Sequence, residues 1–196
     1  MKLVFATNNS HKLQEIRSLL PEGYELLSLQ QIGCHADPPE THETMEGNAL
    51  QKALFVFNNY GYPCFADDSG LEVDALGGKP GVYSARYAGD DKDPVKNLDK
   101  LLREMHEIKD RKARFKTIIA YADKRETLTF EGTVHGHILD KPSGTGGFGY
   151  DPVFRPEGFQ QSFAEMPMAE KNTISHRAKA FALLIKYLNQ LPGLCE

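Results

Sequence analysis

The sequence has no long apolar run and few cysteines, and both absences narrow the class of protein. Hydrophobic residues make up 40% of the 196 residues, yet no stretch approaches the roughly 20 apolar residues of a membrane helix. The N-terminal segment MKLVFATNNS turns polar too early for a secretory signal peptide. Cys34, Cys64 and Cys195 are widely spaced, which is typical of reduced thiols and not of a disulfide framework or a zinc site. We therefore expect a cytoplasmic protein without a membrane partner.

Basic runs and several well-known catalytic signatures are also missing. The formal net charge is −4, which disfavours non-specific binding to nucleic acid, so we expect no such partner. The zinc motif HExxH, the Walker A phosphate loop and the hydrolase nucleophile elbow are absent. A few well-placed lysines remain available to bind an anionic small molecule.

The order of the predicted elements is typical of an α/β protein. KLVFAT predicts a strand, and the apolar spacing after it predicts a helix. A second helix is expected to begin near Thr44 and to end at Gly61. The segment YPCFADD predicts a strand and LEVDAL a separate short one. A last helix is predicted from about Ser175 to Leu191.

The middle of the chain alternates between apolar and polar residues. ARFKTIIAYADKRETLTFEGTVHGHIL predicts a long hairpin that turns near Asp123 to Arg125. Strand–helix units followed by a hairpin indicate a central mixed sheet with flanking helices. Because no linker or repeat interrupts the chain, residues 1–196 are predicted to form a single domain with two lobes and an active-site cleft between them.

A first candidate site is the polar turn TNNSHK, residues 7–12, between the first strand and the first helix. Asn9 or Ser10 can cap this helix, and its N-terminal N–H groups favour bound anions. Lys12 lies in the first helical turn and can point at the same anion. Because such turns are common, a capped helix with a solvated lysine is the better explanation of this segment on local evidence alone.

The segment FADDSGLEVDALGG places Asp67 and Asp68 side by side after an apolar run. We expect a strand to end there, and strand ends line ligand crevices in α/β sheets. Glu40, Glu43 and Glu46 precede the second helix, and the sequence does not choose among them. Carboxylates from two segments suit Mg²⁺, which takes oxygen ligands and keeps several waters. Each carboxylate, taken singly, is equally well explained as a surface group.

The glycine-rich segment GTGGFG, residues 144–149, matches the GxGxxG pattern of dinucleotide-binding proteins. That pattern requires a helix to start on it, whereas the following YDPVF favours a strand. The glycines are therefore expected to let a loop approach a ligand closely. Phe148 would then be a stacking platform and Asp151 a polar partner, although an ordinary flexible loop fits equally well.

The segment EKNTISHRAKAF places Lys171, His176 and Arg177 around a predicted helix start. Helix N-termini attract anions, so cations there are misplaced unless something negative joins them. A phosphate or a purine carbonyl would resolve the misfit. The alternative is a solvated basic turn.

Taken in order, these segments resemble the inosine triphosphate pyrophosphatase family, hydrolases of non-canonical purine nucleoside triphosphates. The resemblance covers nearly the whole chain and rests on FATNNSHKLQEI, EGNALQKA, ADDSGLEVDALGGKPGVYSARYAG, GTGGFGYDPVF and FAEMPMAEKNTISHRAKA. Asn8 and Gly47 stand where many members have glycine and glutamate. Because Gly47 has no side chain, a metal bound by this loop must use another glutamate, and we take Glu40 as that candidate.

The resemblance implies a homodimer that uses Mg²⁺ to cleave ITP, dITP or XTP between the α- and β-phosphates, giving the nucleoside monophosphate and pyrophosphate. It implies that Asp68 is the catalytic carboxylate, acting as base or as metal ligand with Glu40. The phosphates and the base would contact a larger set of residues. This predicted substrate-binding set is Thr7, Asn8, Asn9, Ser10, His11, Lys12, Lys52, Ser69, Phe148, Gly149, Tyr150, Asp151, Lys171, His176 and Arg177.

Hydrogen-bonding chemistry predicts which bases such a site accepts. The Arg177 side chain has only donors, which suits the 6-oxo group of hypoxanthine and xanthine and disfavours the amino group of adenine. Guanine shares the 6-oxo group, so its exclusion requires that its 2-amino group meet an occupied or donor-lined edge of the site. The sequence does not show which residue forms that edge.

Two other functions fit parts of the pattern. A related pyrophosphatase for modified pyrimidine triphosphates would differ in its base preference. A nucleotide-sensing module without catalysis needs no paired acids beside the phosphates, so Asp68 and the loop glutamates argue against it.

Overall fold

Six strands form one mixed sheet in the computed structural model, which describes residues 1–17 and 20–191. The strands are β1 (Lys2–Phe5), β2 (Glu25–Leu27), β3 (Cys64–Val73), β4 (Lys112–Ala122), β5 (Thr127–Ile138) and β6 (Phe154–Pro156). Their order across the sheet is β2-β1-β3-β4-β5-β6. Strand β1 pairs in parallel with β2 and β3, and β5 pairs antiparallel with β6.

Five helices accompany the sheet in the described residues: α1 (Ser10–Arg17), α2 (Met45–Tyr60), α3 (Pro94–Glu104), α4 (Met168–Ile174) and α5 (His176–Leu188). Helix α2 has the predicted ends. The Thr44 hydroxyl accepts a hydrogen bond from the Gly47 N–H, and Gly61 takes the left-handed conformation that ends the helix. The prediction of an α/β protein with a mixed sheet and flanking helices is confirmed.

The predicted hairpin is present as β4 and β5. Its turn closes through a hydrogen bond from the Asp123 N–H to the Glu126 carbonyl, 3.1 Å. The Asp123 carboxylate also accepts hydrogen bonds from the N–H groups of Arg125 and Glu126. This side chain therefore satisfies the turn backbone, as aspartate does in many turns.

The prediction that a strand ends at Asp67 and Asp68 is wrong. Strand β3 runs without interruption from Cys64 to Val73, so the predicted separate strand LEVDAL is its second half. The segment DDSG has the composition of a turn, but its polar side chains find partners in neighbouring elements. Since side chains alternate across a strand, Asp67 and Asp68 point to opposite faces of the sheet.

The prediction of one last helix from Ser175 is incomplete, because α4 precedes it. Ser175 has an extended backbone (φ −64°, ψ 154°), which separates the two helices. Its hydroxyl accepts a hydrogen bond from the Ala178 N–H, 3.2 Å, and so caps α5. Helix α4 has only seven residues, too few to show an apolar period in the sequence.

The chain divides into two compact units. The first comprises Met1–Asp68, Ile118–Glu131 and the chain from Ala180 onwards; the second comprises Ser69–Thr117 and Gly132–Lys179. Aromatic rings fill the core of each unit. In the first, Phe181 packs edge-on against Phe5 and Phe65, whose own rings are stacked at 4.5 Å. The arrangement of lobes and cleft stays a prediction.

The sequence predicts reduced cysteines and no membrane-spanning segment, and both predictions can be compared with the described residues. Cys34 and Cys64 are buried free thiols, as predicted, whereas Cys195 lies outside the described residues. None of the helices described is long and apolar enough to cross a membrane.

Replacing Phe181 by alanine is expected to lower the free energy of unfolding by about 3–5 kcal/mol, because the ring is 1% exposed and its loss leaves a cavity beside the stacked rings of Phe5 and Phe65. Urea denaturation measures this change. Leu183→Ala on the same helix is the control, since that side chain is 46% exposed and its loss should cost less than about 0.5 kcal/mol. Equal losses for the two variants would contradict the packing described.

Candidate active site

A lysine from α1 neutralises the first of the paired aspartates. The Lys12 ammonium lies 2.9 and 2.7 Å from the two carboxylate oxygens of Asp67. Asp67 is buried, 2% exposed. Burying a carboxylate without a cation would be costly, so Lys12 allows β3 to continue through this position.

The second aspartate has a different environment. The pKa of the Asp68 carboxyl is raised to about 6, mainly by burial; the positive charge of Lys52 opposes this rise, and the negative charges of Glu40 and Asp67 contribute to it. The Asn48 amide donates a hydrogen bond to Asp68 Oδ2 at 3.2 Å. Of these causes burial is the largest, and the charge of the adjacent Asp67 is the smallest.

Lys52 connects the loop before α2 to strand β3. This buried side chain donates to the Asp67 carbonyl oxygen, 2.7 Å, and to the Glu40 carboxylate. Of the three loop glutamates, the structure therefore brings Glu40 to the cluster. Glu43 and Glu46 have exposed side chains.

These carboxylates form a donor set that fits a hard divalent cation. Asp68 and Glu40 offer oxygen ligands, and the charge of Glu40 raises the pKa of Asp68, so a shared cation would relieve their repulsion. Mg²⁺ is held by one or two carboxylates together with substrate phosphates and water. The residues described contain no group of three or more His, Cys, Asp or Glu side chains suited to a metal.

The polar turn TNNSHK caps α1 as predicted. The Asn9 side-chain oxygen accepts a hydrogen bond from the Lys12 N–H, 3.2 Å, and the Thr7 hydroxyl accepts one from the Asn9 N–H, 3.2 Å. The Asn8 amide donates to the Asp37 carboxylate. The predicted side-chain contacts of Ser10 and His11 lie outside what the structure describes.

In the second unit, Asp151 organises the glycine-rich loop. Its Oδ2 accepts hydrogen bonds from the Phe148 N–H, 2.7 Å, and from the Lys171 ammonium. Gly147 has φ +71°, and a Cβ there would lie 2.2 Å from Asp151 Oδ2. The glycines were predicted to admit a ligand, but at Gly147 the close neighbour is the chain itself.

An exposed aromatic ring lies beside two cations. Phe148 is 59% exposed, with the Lys171 ammonium 5.0 Å and the Arg177 guanidinium 5.5 Å from its ring centroid. The misfit predicted for cations near this helix start is resolved for Lys171 by Asp151, which the sequence did not pair with it. The flat Phe148 ring can stack on a base, and the donor groups of Lys171 and Arg177 beside it can bind oxygen atoms of that base.

Other predicted contacts are packed inside the second unit. The His176 ring stacks on Phe115, with centroids 4.8 Å apart. Tyr150 belongs to the core and donates to the Ser84 carbonyl, 2.9 Å, so its side chain has a structural role. The Ser69 hydroxyl is hydrogen-bonded to Thr117, 2.7 Å. Contacts of these residues and of Gly149 with substrate stay predictions.

Sequence reasoning missed Asn48. This buried asparagine donates to Asp68 and accepts a hydrogen bond from the His42 N–H, 2.9 Å. A signal was available, because Asn48 and Lys52 are four residues apart and so share one face of α2.

Substituting the two adjacent aspartates should change stability in opposite directions when the protein is free of metal. Because the pKa of Asp68 lies near 6 in the folded protein and near 4 in unfolded chains, its ionised form costs folding free energy above pH 6. That cost disappears below about pH 4, where the group is protonated in both states. Asp68→Asn should therefore stabilise the protein at pH 7.5 by about 1–3 kcal/mol.

Asp67→Asn removes the partner of Lys12 and should instead destabilise by about 1.5–3 kcal/mol. Urea denaturation in EDTA at pH 7.5 and pH 4 measures both variants. The gain from Asp68→Asn should vanish at pH 4. Destabilisation of similar size by both variants at pH 7.5 would refute the different environments assigned to the two carboxylates.

The sequence and fold of this chain match those of known proteins over nearly their whole length. A dITP/XTP pyrophosphatase of Christiangramia forsetii is 55% identical over 97% of this chain and 100% of its own length, and one of Flavobacterium johnsoniae is 53% identical over 96% and 98%. The structure of the Staphylococcus aureus Ham1 protein superposes with a TM-score of 0.92 at 38% identity, covering 96% of this chain and 98% of that one. A sequence model of the Ham1 family matches residues 3–187. The chain therefore belongs to the Ham1 family.

Proposed function

We propose that this protein hydrolyses the non-canonical purine nucleoside triphosphates ITP, dITP and XTP to the nucleoside monophosphate and pyrophosphate, and so cleanses the nucleotide pool. The relatives named dITP/XTP pyrophosphatases support this activity. The observation that carries the proposal is the Asp68 carboxyl, a partly buried group whose pKa is raised to about 6 beside Lys52 and Glu40.

Asp68 has the properties of a general base. With a pKa of about 6, it is ionised at neutral pH and is a better proton acceptor than an ordinary carboxylate. It takes the proton from a water molecule as the water oxygen bonds to the α-phosphorus. The anhydride bond between the α- and β-phosphates then breaks, and pyrophosphate leaves. The Asn48 hydrogen bond to Oδ2 orients the carboxylate.

The first unit also supplies charge for the triphosphate. Glu40 would hold Mg²⁺ together with the phosphate oxygens, and the ion would supply positive charge to them when bound; Asp68 as a ligand of this ion is the alternative to Asp68 as the base. Lys12 and Lys52 add two ammonium groups, and the capped N-terminus of α1 adds backbone N–H donors for an anion.

The second unit supplies groups for the base. The exposed Phe148 ring offers a stacking surface, and Lys171 and Arg177 lie over it. Arg177 carries only donors, so it matches the 6-oxo group of hypoxanthine and xanthine. The predicted homodimer, the cytoplasmic location and the absence of a nucleic-acid partner stay predictions.

Pyrophosphate release from ITP, XTP, GTP and ATP, each with Mg²⁺ and with EDTA, tests the proposed function. We expect fast release from ITP and XTP that requires Mg²⁺ and little release from GTP or ATP. Release from modified pyrimidine triphosphates alone would favour the related pyrophosphatase. Binding without release from any of them would indicate a sensing module and contradict the proposal.

Replacing Arg177 by alanine tests the assignment of the base. We expect the preference for ITP over ATP, as the ratio of kcat/KM values, to fall at least about tenfold, because the donor that matches the 6-oxo group is lost. Lys179→Ala is the control, since it removes an exposed cation from the same helix. An equal loss of both activities in Arg177→Ala would assign Arg177 to the phosphates instead.

A further inference from the structure

A second concentration of positive charge lies in the second unit, at residues other than those assigned to substrate. A cavity of about 410 Å³ is lined by the start of β4, the end of β5 and strand β6. Its lining carries four lysine or arginine side chains and only two carboxylates, in a chain whose formal net charge is −4. Such a concentration within an acidic protein requires a physical explanation.

The strand register places three of these side chains in one row. His137 lies directly opposite Arg155 in the β5–β6 pair. On the other side of β5, the Ile138 N–H donates to the Arg111 carbonyl, 2.8 Å, which places Lys112 opposite His137. Directly opposite residues share a face of a sheet, so an ammonium, an imidazole and a guanidinium lie side by side. The row spans about 10 Å, because neighbouring strands are about 4.8 Å apart.

Within the described part of the chain, Asp140 is the carboxylate that pairs with a cation of this cavity, and that cation is Arg111. Across residues 1–17 and 20–191, no carboxylate lies within salt-bridge distance of Lys109, Lys112 or Arg155. Lys112 and Arg155 lie on either side of β5 about 10 Å apart, which is about one Debye length at physiological salt, so their repulsion is a small cost. An anion bound across the row would remove that cost.

Arg111 has a separate role in shaping the cavity. Its guanidinium donates to the carbonyl oxygens of Met105, Ile138 and Leu139 and lies 3.5 Å from the Asp140 carboxylate. These bonds fasten the start of β4 to the end of β5. They fix the backbone from which the Lys112 and His137 side chains extend.

We propose that this cavity, here called the β4–β6 basic cavity (Lys109, Lys112, His137 and Arg155 with the wall formed by Arg111), binds an anion with two or more linked phosphates. A single phosphate reaches one or two of the cations, whereas linked phosphates extend along the row. The volume lies within the range of small-ligand sites, and guanidinium and ammonium groups form strong charge-assisted bonds with phosphate oxygens. Free pyrophosphate and the diphosphate group of a nucleoside diphosphate are the two ligands with this chemistry. Pyrophosphate is a product of the proposed function, so that ligand alone rests on it.

Titration of ¹⁵N-labelled protein in EDTA with pyrophosphate, ADP and inorganic phosphate tests the cavity by position. We expect saturable shifts of the amide signals of residues 109–112, 137–140 and 155 with pyrophosphate or ADP, and binding at least about tenfold weaker with inorganic phosphate. Whichever of pyrophosphate and ADP binds more tightly identifies the source. These signals are separate from those of residues 7–12 and 67–68, so the result is independent of hydrolysis.

The double variant Lys112→Gln/Arg155→Gln should weaken binding at these signals at least about tenfold, because two charge-assisted contacts are lost. Lys124→Gln/Lys186→Gln removes the same charge at exposed positions elsewhere and should change affinity less than about twofold. Unchanged spectra outside the cavity show that both variants fold. Three results would overturn the proposal. The first is the lack of any saturable shift below about 10 mM. The others are equal affinity of the two double variants and a change of oligomeric mass in Lys112→Gln/Arg155→Gln.

Discussion

The ion pair between Lys12 and Asp67 is the contact on which the candidate site of the first unit depends. It neutralises a buried carboxylate in the interior of β3, and the strand continues to Val73 as a result. Continuation of the strand sends Asp68 to the opposite face from Asp67. One carboxylate is thereby held in an ion pair with Lys12, and the pKa of the other is raised to about 6, mainly by burial. The adjacent aspartates are therefore chemically different although the sequence presents them as a pair.

Features set by local chemistry were predictable from the sequence. The ends of α2 follow from Thr44 and Gly61, and the β4–β5 turn follows from Asp123, whose side chain bonds to residues two and three positions away. Features set by distant partners were not predictable. Lys12 and Asp67 are 55 positions apart, and Asp151 and Lys171 are 20 apart. When these partners are not known, the composition of DDSG predicts a turn. In the same way, Lys171 is predicted to be a cation that binds a ligand.

In the candidate site, lysine side chains have partners within the protein and an aromatic ring is exposed, a difference that motif recognition alone does not reveal. In the first unit, Lys12 and Lys52 are held by protein oxygen atoms, so their positions are set before any phosphate arrives. In the second unit, Lys171 is held by Asp151 while the neighbouring Phe148 ring stays exposed. Charged groups are thus restrained by partners and the stacking surface is left open, which reduces the ordering cost of binding. The motif order predicts which residues belong to the site; the contacts show which of these side chains have partners within the protein.

The approach of Gly147 to Asp151 has a consequence for how this loop can change during evolution. Every replacement of a glycine by an ordinary amino acid adds at least a Cβ, and at Gly147 that atom would lie 2.2 Å from the Asp151 carboxylate. Asp151 in turn cannot be exchanged freely while it accepts hydrogen bonds from the loop and from Lys171. The two positions are therefore linked, and a lineage that changes one must first accept a compensating change at the other. Variation among relatives at these positions should arise as paired substitutions and not singly.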